Sequence, residues 1–241
     1  MLAPRSALQV PAPQAPPKPA VSQLTLGLVL LGLALAAAAS LWHVLPAAQA
    51  DASTLAARTK IDDWRRGTGP RLTLDRWQAT RTALQNGLRL APGNAQLHDD
   101  LGFLNAAFAQ RLGNPEPGSA PQVMQLELLD QAIAHYRAAS QLRPTFPYSW
   151  ANLALALHYR DSHTPEFWVA FDHALQYARH EESLHPTLAY LAFANWPDLG
   201  EPRQQAMLAI VDSARKGIKE KLDALAVDAG VTLPTAPAAG D

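Results

Sequence analysis

Hydrophobic and polar positions divide the chain into three regimes. Residues 21–42, VSQLTLGLVLLGLALAAAASLW, are apolar on every side and carry no charge. From about residue 53 onward, apolar residues recur three and four apart, interrupted by short segments rich in Pro, Gly and Asn. That period belongs to amphipathic helices. Long Val/Ile/Thr alternations are absent, so no sheet is expected. Residues 1–20 fit neither pattern. They hold six prolines with Arg5, Lys18 and no acid, which predicts a flexible, partly extended tail.

The apolar block predicts a transmembrane helix over 21–45. Its centre, Leu24–Trp42, would span roughly 28 Å as a helix, about one bilayer core. Trp42 stands where an interfacial aromatic would. Two readings compete: an uncleaved anchor, or a signal peptide cut after Ala48-Gln49-Ala50. The anchor is preferred, because the preceding tail is long and the apolar run exceeds that of a signal peptide. Arg5 and Lys18 favour a cytoplasmic amino terminus, while Arg58 and Lys60 pull the other way. Either reading puts residues 51–241 across the membrane. Only Arg5 and Lys18 among the 20 basic residues precede position 51, which leaves 18 basic against 21 acidic residues there.

Within that part, a short helix is expected over 53–66, ended by Gly67-Thr68-Gly69-Pro70. Thr73 is the expected N-cap of a helix carrying Trp77, and Asn94 of the next. Residues 114–122, NPEPGSAPQ, read as a loop. A final pair is expected over 186–196 and 201–225, the second with one apolar stripe of Met207, Ile210, Val211, Ala214 and Ile218. Residues 226–241 read as a loose end.

A repeat lies inside this region. At an offset of 52 residues, LQNGLRLAPGNAQLHDDLGFLN (84–105) falls on YRAASQLRPTFPYSWANLALAL (136–157). Leu90-x-Pro92 matches Leu142-x-Pro144, Gly87 matches Ala139, and Leu101-Gly102 matches Leu153-Ala154. Proline lacks an N–H and constrains the residue before it, so each Pro closes a helix. Pro147 suits the first turn of the next one. The small residues allow antiparallel helices to approach closely, and Leu84, Tyr136 and Trp150 fill the space between.

These residues resemble the tetratricopeptide repeat. Ala132, Tyr136, Ala139 and Pro144 match its second-helix positions; Trp150, Leu153 and Ala154 match the first helix of the next unit. Leu101-Gly102 matches one unit earlier, with His98 where Trp is usual. About 18 extra residues separate Gly102 from Ala132, compared with the standard unit. The whole order is similar to the VpsP-type family of bacterial exopolysaccharide biosynthesis proteins. That order is one span, then Asp63-Trp64-Arg65-Arg66-Gly67, Arg76-Trp77-Gln78, the repeat, Glu166-Phe167, and Asn195-Trp196 before a last helix. The resemblance covers about residues 20–225. It implies an all-α protein of a bacterial inner membrane, with one transmembrane helix and a degenerate tetratricopeptide-like helical-hairpin stack over 51–225 in the periplasm. It also implies a non-catalytic scaffold or adaptor for polysaccharide synthesis or export, binding a protein partner. The competing expectations are an assembly factor for secretion, pili or cytochrome maturation, and a glycan-modifying enzyme.

Composition removes several chemistries. The net charge of −1 gives no bulk attraction to nucleic acid. Without cysteine there is no disulfide and no thiolate ligand. His158, His163, His173, His180 and His185 cluster in sequence, but without metal-ligand spacing. Ser149, Ser162 and Ser183 lack a nucleophile-elbow context, and Gly67-x-Gly69 is a turn. Asp62-Asp63 and Asp99-Asp100 are expected on solvated helix faces, since neighbours on a helix diverge by about 100°. No cofactor, metal or catalytic residue is assigned. Packing accounts for Trp77 and Trp150. Trp168 and Trp196 lie in less regular segments, as candidate contacts for a partner or a glycan.

Overall fold

The computed structural model describes residues 23–161 and 164–233. The expected proline-rich tail, Ser162, His163 and residues 234–241 lie outside them. Among the described residues every regular element is helical: α1 (Gln23–Arg65), α2 (Leu74–Leu90), α3 (Ala95–Arg111), α4 (Ala120–Leu142), α5 (Pro147–Asp161), α6 (Pro165–Tyr177), α7 (His185–Ala194), α8 (Glu201–Ser213) and α9 (Lys216–Asp228).

The chain divides into two units at Leu45/Pro46. In the first, α1 is apolar and exposed. Its apolar window has a mean hydropathy of 2.1 and no buried share, so it is long and apolar enough to cross a membrane. The sequence predicts a separate helix over 53–66. Instead α1 runs unbroken through Pro46. A proline removes one ladder hydrogen bond, and the flanking alanine-rich turns continue the helix around that gap.

The second unit begins at Pro46 and holds two apolar cores. Ala50, Ala57 and Ile61 of α1 join Leu72, Trp77, Leu84, Leu97, Leu101, Leu104, Phe108 and Leu128-Leu129 in the first. Ala132, Ile133 and Tyr136 open the second, which continues through α5 and α6 to Leu222 and Ala226 of α9. Helix α4 therefore contributes to both, with Leu128-Leu129 in one and Ala132-Ile133 in the other.

Local chemistry sets most helix ends. Thr73 Oγ1 accepts from Arg76 N (3.4 Å), and Asn94 Oδ1 accepts from Gln96 N (3.0 Å) and Leu97 N (3.2 Å). Such caps contribute about 1 kcal/mol each. The expected loop 114–122 is shorter than predicted, because Ser119 caps α4 and Pro121 sits in its first turn. The expected single helix over 201–225 is two: Ala214 and Arg215 adopt extended backbone between α8 and α9. This break turns Met207 and Ile210 on one side, and Leu222 and Ala226 on the other, into the same core. The loose end expected from 226 starts later. Val231 N donates to Ala226 O at 2.8 Å, and Gly230 takes the left-handed conformation at φ 69°, a common helix terminus.

Candidate partner-binding surface

The two chain segments related by the 52-residue offset form the same joint. Ala91 (φ −135°, ψ 74°) and Arg143 (φ −135°, ψ 71°) end their helices alike, donating to Gly87 O and Ala139 O. The Ala91 and Arg143 carbonyls then accept from the residue three further on, Asn94 N and Phe146 N, both at 3.0 Å. One turn into the next helix, a ring nitrogen reaches back to the proline carbonyl. His98 Nε2 lies 3.2 Å from Pro92 O, and Trp150 Nε1 donates to Pro144 O at 2.8 Å. A looser version comes after α6, where His185 Nε2 lies 3.3 Å from Ala178 O.

The predicted packing residues lie at these joints or along the helices that lead into them. Leu84, Ala132, Ala139 and Ala154 are fully buried, as are Tyr136, Leu153 and Trp77 almost entirely. Gly102 receives the Tyr136 ring: a Cβ there would stand 2.7 Å from it. Gly87 likewise faces Thr54, whose Cγ2 leaves no room for such a Cβ. Trp77 stacks on Phe108 at 5.2 Å, and Trp150 on His173 at 4.3 Å. Pro144 itself is exposed; its part is to end α4 and offer its carbonyl.

Trp168 and Trp196 are half-buried at the margin of the second core. Trp168 sits edge-on to Phe167, and the Arg203 guanidinium covers it at 4.7 Å. Arg203 is held there by a two-point pair with Asp172, at 2.6 and 2.8 Å. Trp196 lies beside Phe193, and its carbonyl accepts from Gln204 Nε2 at 2.9 Å.

The expectation for Asp99-Asp100 is overturned: neither is solvated, at 4% and 1% exposure. Diverging side chains carry them into one joint by separate routes. Asp99 Oδ2 is paired with Arg143 and accepts from Ser149 Oγ at 2.9 Å. Asp100 Oδ1 meets Arg65 Nη1 at 2.9 Å and Gln96 Nε2 at 2.9 Å, while Oδ2 lies 3.6 Å from Arg58 Nε. Burial pushes both carboxyls above the usual range, with Ser149, Arg143 and Arg65 opposing it. Asp99 Oδ1 has no partner, and Asp99 borders a cavity of about 220 Å³ lined by Arg65, Gln96, Phe146, Tyr148 and Asn152. Asp62, by contrast, is exposed, as expected, while Asp63 is half-buried; each is paired with the arginine three residues on, Arg65 and Arg66. On α3 and α4, His98 and His135 meet through Nδ1 atoms 3.1 Å apart. Burial and the neighbouring His98 and Arg81 push His135 down to about 4.

A larger cleft of about 780 Å³ lies among α6, the turn before α7, and α8. His173, His180 and His185 do not converge with acids on one point. Among the described residues no group of three His, Asp or Glu side chains could hold a metal ion. No protein-family model matches this chain, and no curated protein or solved structure matches it.

Proposed function

We propose that this chain is a non-catalytic, membrane-anchored scaffold or adaptor in the synthesis or export of a surface polysaccharide. Its tetratricopeptide-like domain stands in the periplasm and presents helix faces to a protein partner. The observation that carries this reading is the recurrence of one joint, 52 residues apart, with matching caps and ring-to-carbonyl contacts. Repeated helix pairs build extended surfaces suited to a partner's segment. An anchor then raises the effective concentration at the membrane.

Two further observations support the reading. Ala50 is fully buried, and its carbonyl accepts from Thr54 Oγ1 at 2.7 Å. Cleavage after Ala50 would disrupt that packing, which favours an uncleaved anchor. The buried carboxylates Asp99 and Asp100 are each engaged by arginine, an arrangement that suits a structural joint better than acid–base catalysis. Cross-linking and affinity capture from detergent-solubilised membranes test the proposal. Recovery of glycosyltransferases or polysaccharide-export proteins is expected. Recovery of cytoplasmic proteins alone would overturn both topology and role.

A further inference from the structure

The first joint carries a pair of titratable rings that the second lacks. His98 Nε2 lies 3.2 Å from the Pro92 carbonyl, which can only accept, so that nitrogen holds a proton. In the neutral ring Nδ1 is then a bare acceptor. It faces His135 Nδ1 at 3.1 Å, so His135 supplies the proton between them. The contact admits one proton. With none, two lone pairs would oppose each other. With two, as between imidazolium rings, two N–H groups would. At the second joint Trp150 makes the carbonyl contact instead and stacks on His173 at 4.3 Å. An indole nitrogen is a donor at every pH, so that joint carries no such restriction.

The surroundings oppose a second charge. Both rings are half-buried, His98 on α3 and His135 on α4. The charges that act on His135 are those of His98 and of Arg81 on α2, and neither is a carboxylate. Arg81 is held in place: its Nη2 donates to Gln131 Oε1 at 3.0 Å, one turn before His135, and its guanidinium lies over the Trp77 ring at 5.0 Å. The carboxylates next to His98 in sequence are engaged elsewhere, Asp99 by Arg143 and Ser149, and Asp100 by Arg65. Burial, with His98 and Arg81, pushes His135 from 6.5 down to about 4.

We propose that the His98–His135 contact is an acid-sensitive latch between α3 and α4, closed by one shared proton and opened by a second. Once apart, the two rings take up protons as free histidines do. Stability from the latch is therefore fully present above about pH 6.5 and is lost as pH falls through about 4. Within that window opening takes up one proton, so the open population should rise about tenfold for each unit by which pH falls.

The test uses the full chain in detergent with nitrogen-15 histidine. Near neutral pH, NMR should show one protonated and one bare Nδ1, joined by a coupling across the hydrogen bond. Acidification should abolish the coupling as His135 titrates, with a midpoint near 4. Hydrogen exchange over 92–102 and 131–139, corrected for its intrinsic pH dependence, should rise about tenfold per unit between about pH 6 and 4. His98→Trp installs the residue of the second joint and should remove that rise. His98→Gln, a smaller side chain that does not titrate, should remove it too, and serves alone if the indole does not fit. Three results would each overturn the proposal: no coupling at neutral pH, a His135 midpoint at the free value of about 6.5, or an acid-dependent rise that persists without His98.

Discussion

The joints at 91–102 and 143–154 share a backbone and differ in the side chains mounted on it. At both, the helix ends with near-identical torsions and a ring nitrogen contacts the turn carbonyl. At the first, positions 99 and 100 are aspartates buried among arginines. At the second, the equivalent positions are Ala151, fully buried, and Asn152, half-buried. Backbone geometry is therefore the common part, and individuality lies in the two side chains after the ring. Buried ion pairs contribute little net stability, yet breaking one is strongly destabilising. The Asp99–Arg143 pair ties the first joint to the helix end of the second, so substitution at either end should be costly although the pair adds little net stability.

Exchanging residues between the joints makes this measurable. The largest effect is expected from Arg143→Ala, which installs the residue found at Ala91. It strands the Asp99 carboxylate, and urea denaturation should register a loss of about 3 kcal/mol. A loss below about 1 kcal/mol would show that Ser149 and Arg65 suffice, and the contrast between joints would collapse. Next comes Gly102→Ala, which imports Ala154. The new Cβ meets the Tyr136 ring, so a loss of about 1–3 kcal/mol is expected, although alanine is the better helix former.

The charge difference should also appear as pH dependence. The folded-state pKa of Asp99 is raised above 3.8, so the folded protein holds the proton more tightly than the unfolded chain. Stability from this group is greatest below about pH 3.8 and falls as pH rises through the higher folded value. Denaturation of wild type and Asp99→Asn across about pH 3–8 should therefore show the wild type losing ground relative to the variant as pH increases. Parallel curves would remove Asp99 as a buried titrating group. The smallest effect is expected from Trp150→Phe, which deletes the hydrogen bond to Pro144 O but keeps most of the ring. A loss of about 1 kcal/mol is expected, with a similar loss for His98→Phe if the two contacts are equivalent.

The parts legible in the sequence are those governed by neighbours in the chain. Thr73 and Asn94 cap the helices they precede, Pro147 begins α5, and the Leu-x-Pro pairs mark joints, because each effect acts within a turn. The ion pairs of the first joint are not local: Arg65 and Arg143 lie 34 and 44 residues from Asp99. Two adjacent aspartates resemble a solvated face because nothing nearby announces their partners. Trp168 is equally unreadable, since its cover, Arg203, is fixed by Asp172 from 31 residues away. The break at Ala214–Arg215 has no proline to mark it, and it arises from the need to bury two apolar faces in one core.

The charged joint also sets a rule for rebuilding the chain at a different length. A tandem copy of residues 91–142 placed after Leu142 would reproduce both native junctions, Leu–Ala and Leu–Arg, so the joint imposes no fixed number of units. The copied Asp100 would find no counterpart of Arg58 or Arg65, however, since both belong to α1. An inserted unit would have to carry the Ala-Asn of the second joint, and also Arg and Ser in place of Ala91 and Leu97, so that the original Asp99 keeps the partners that Arg143 and Ser149 supply. The aspartate pair thus works as an address for the unit beside α1, and tells an end unit from an interior one.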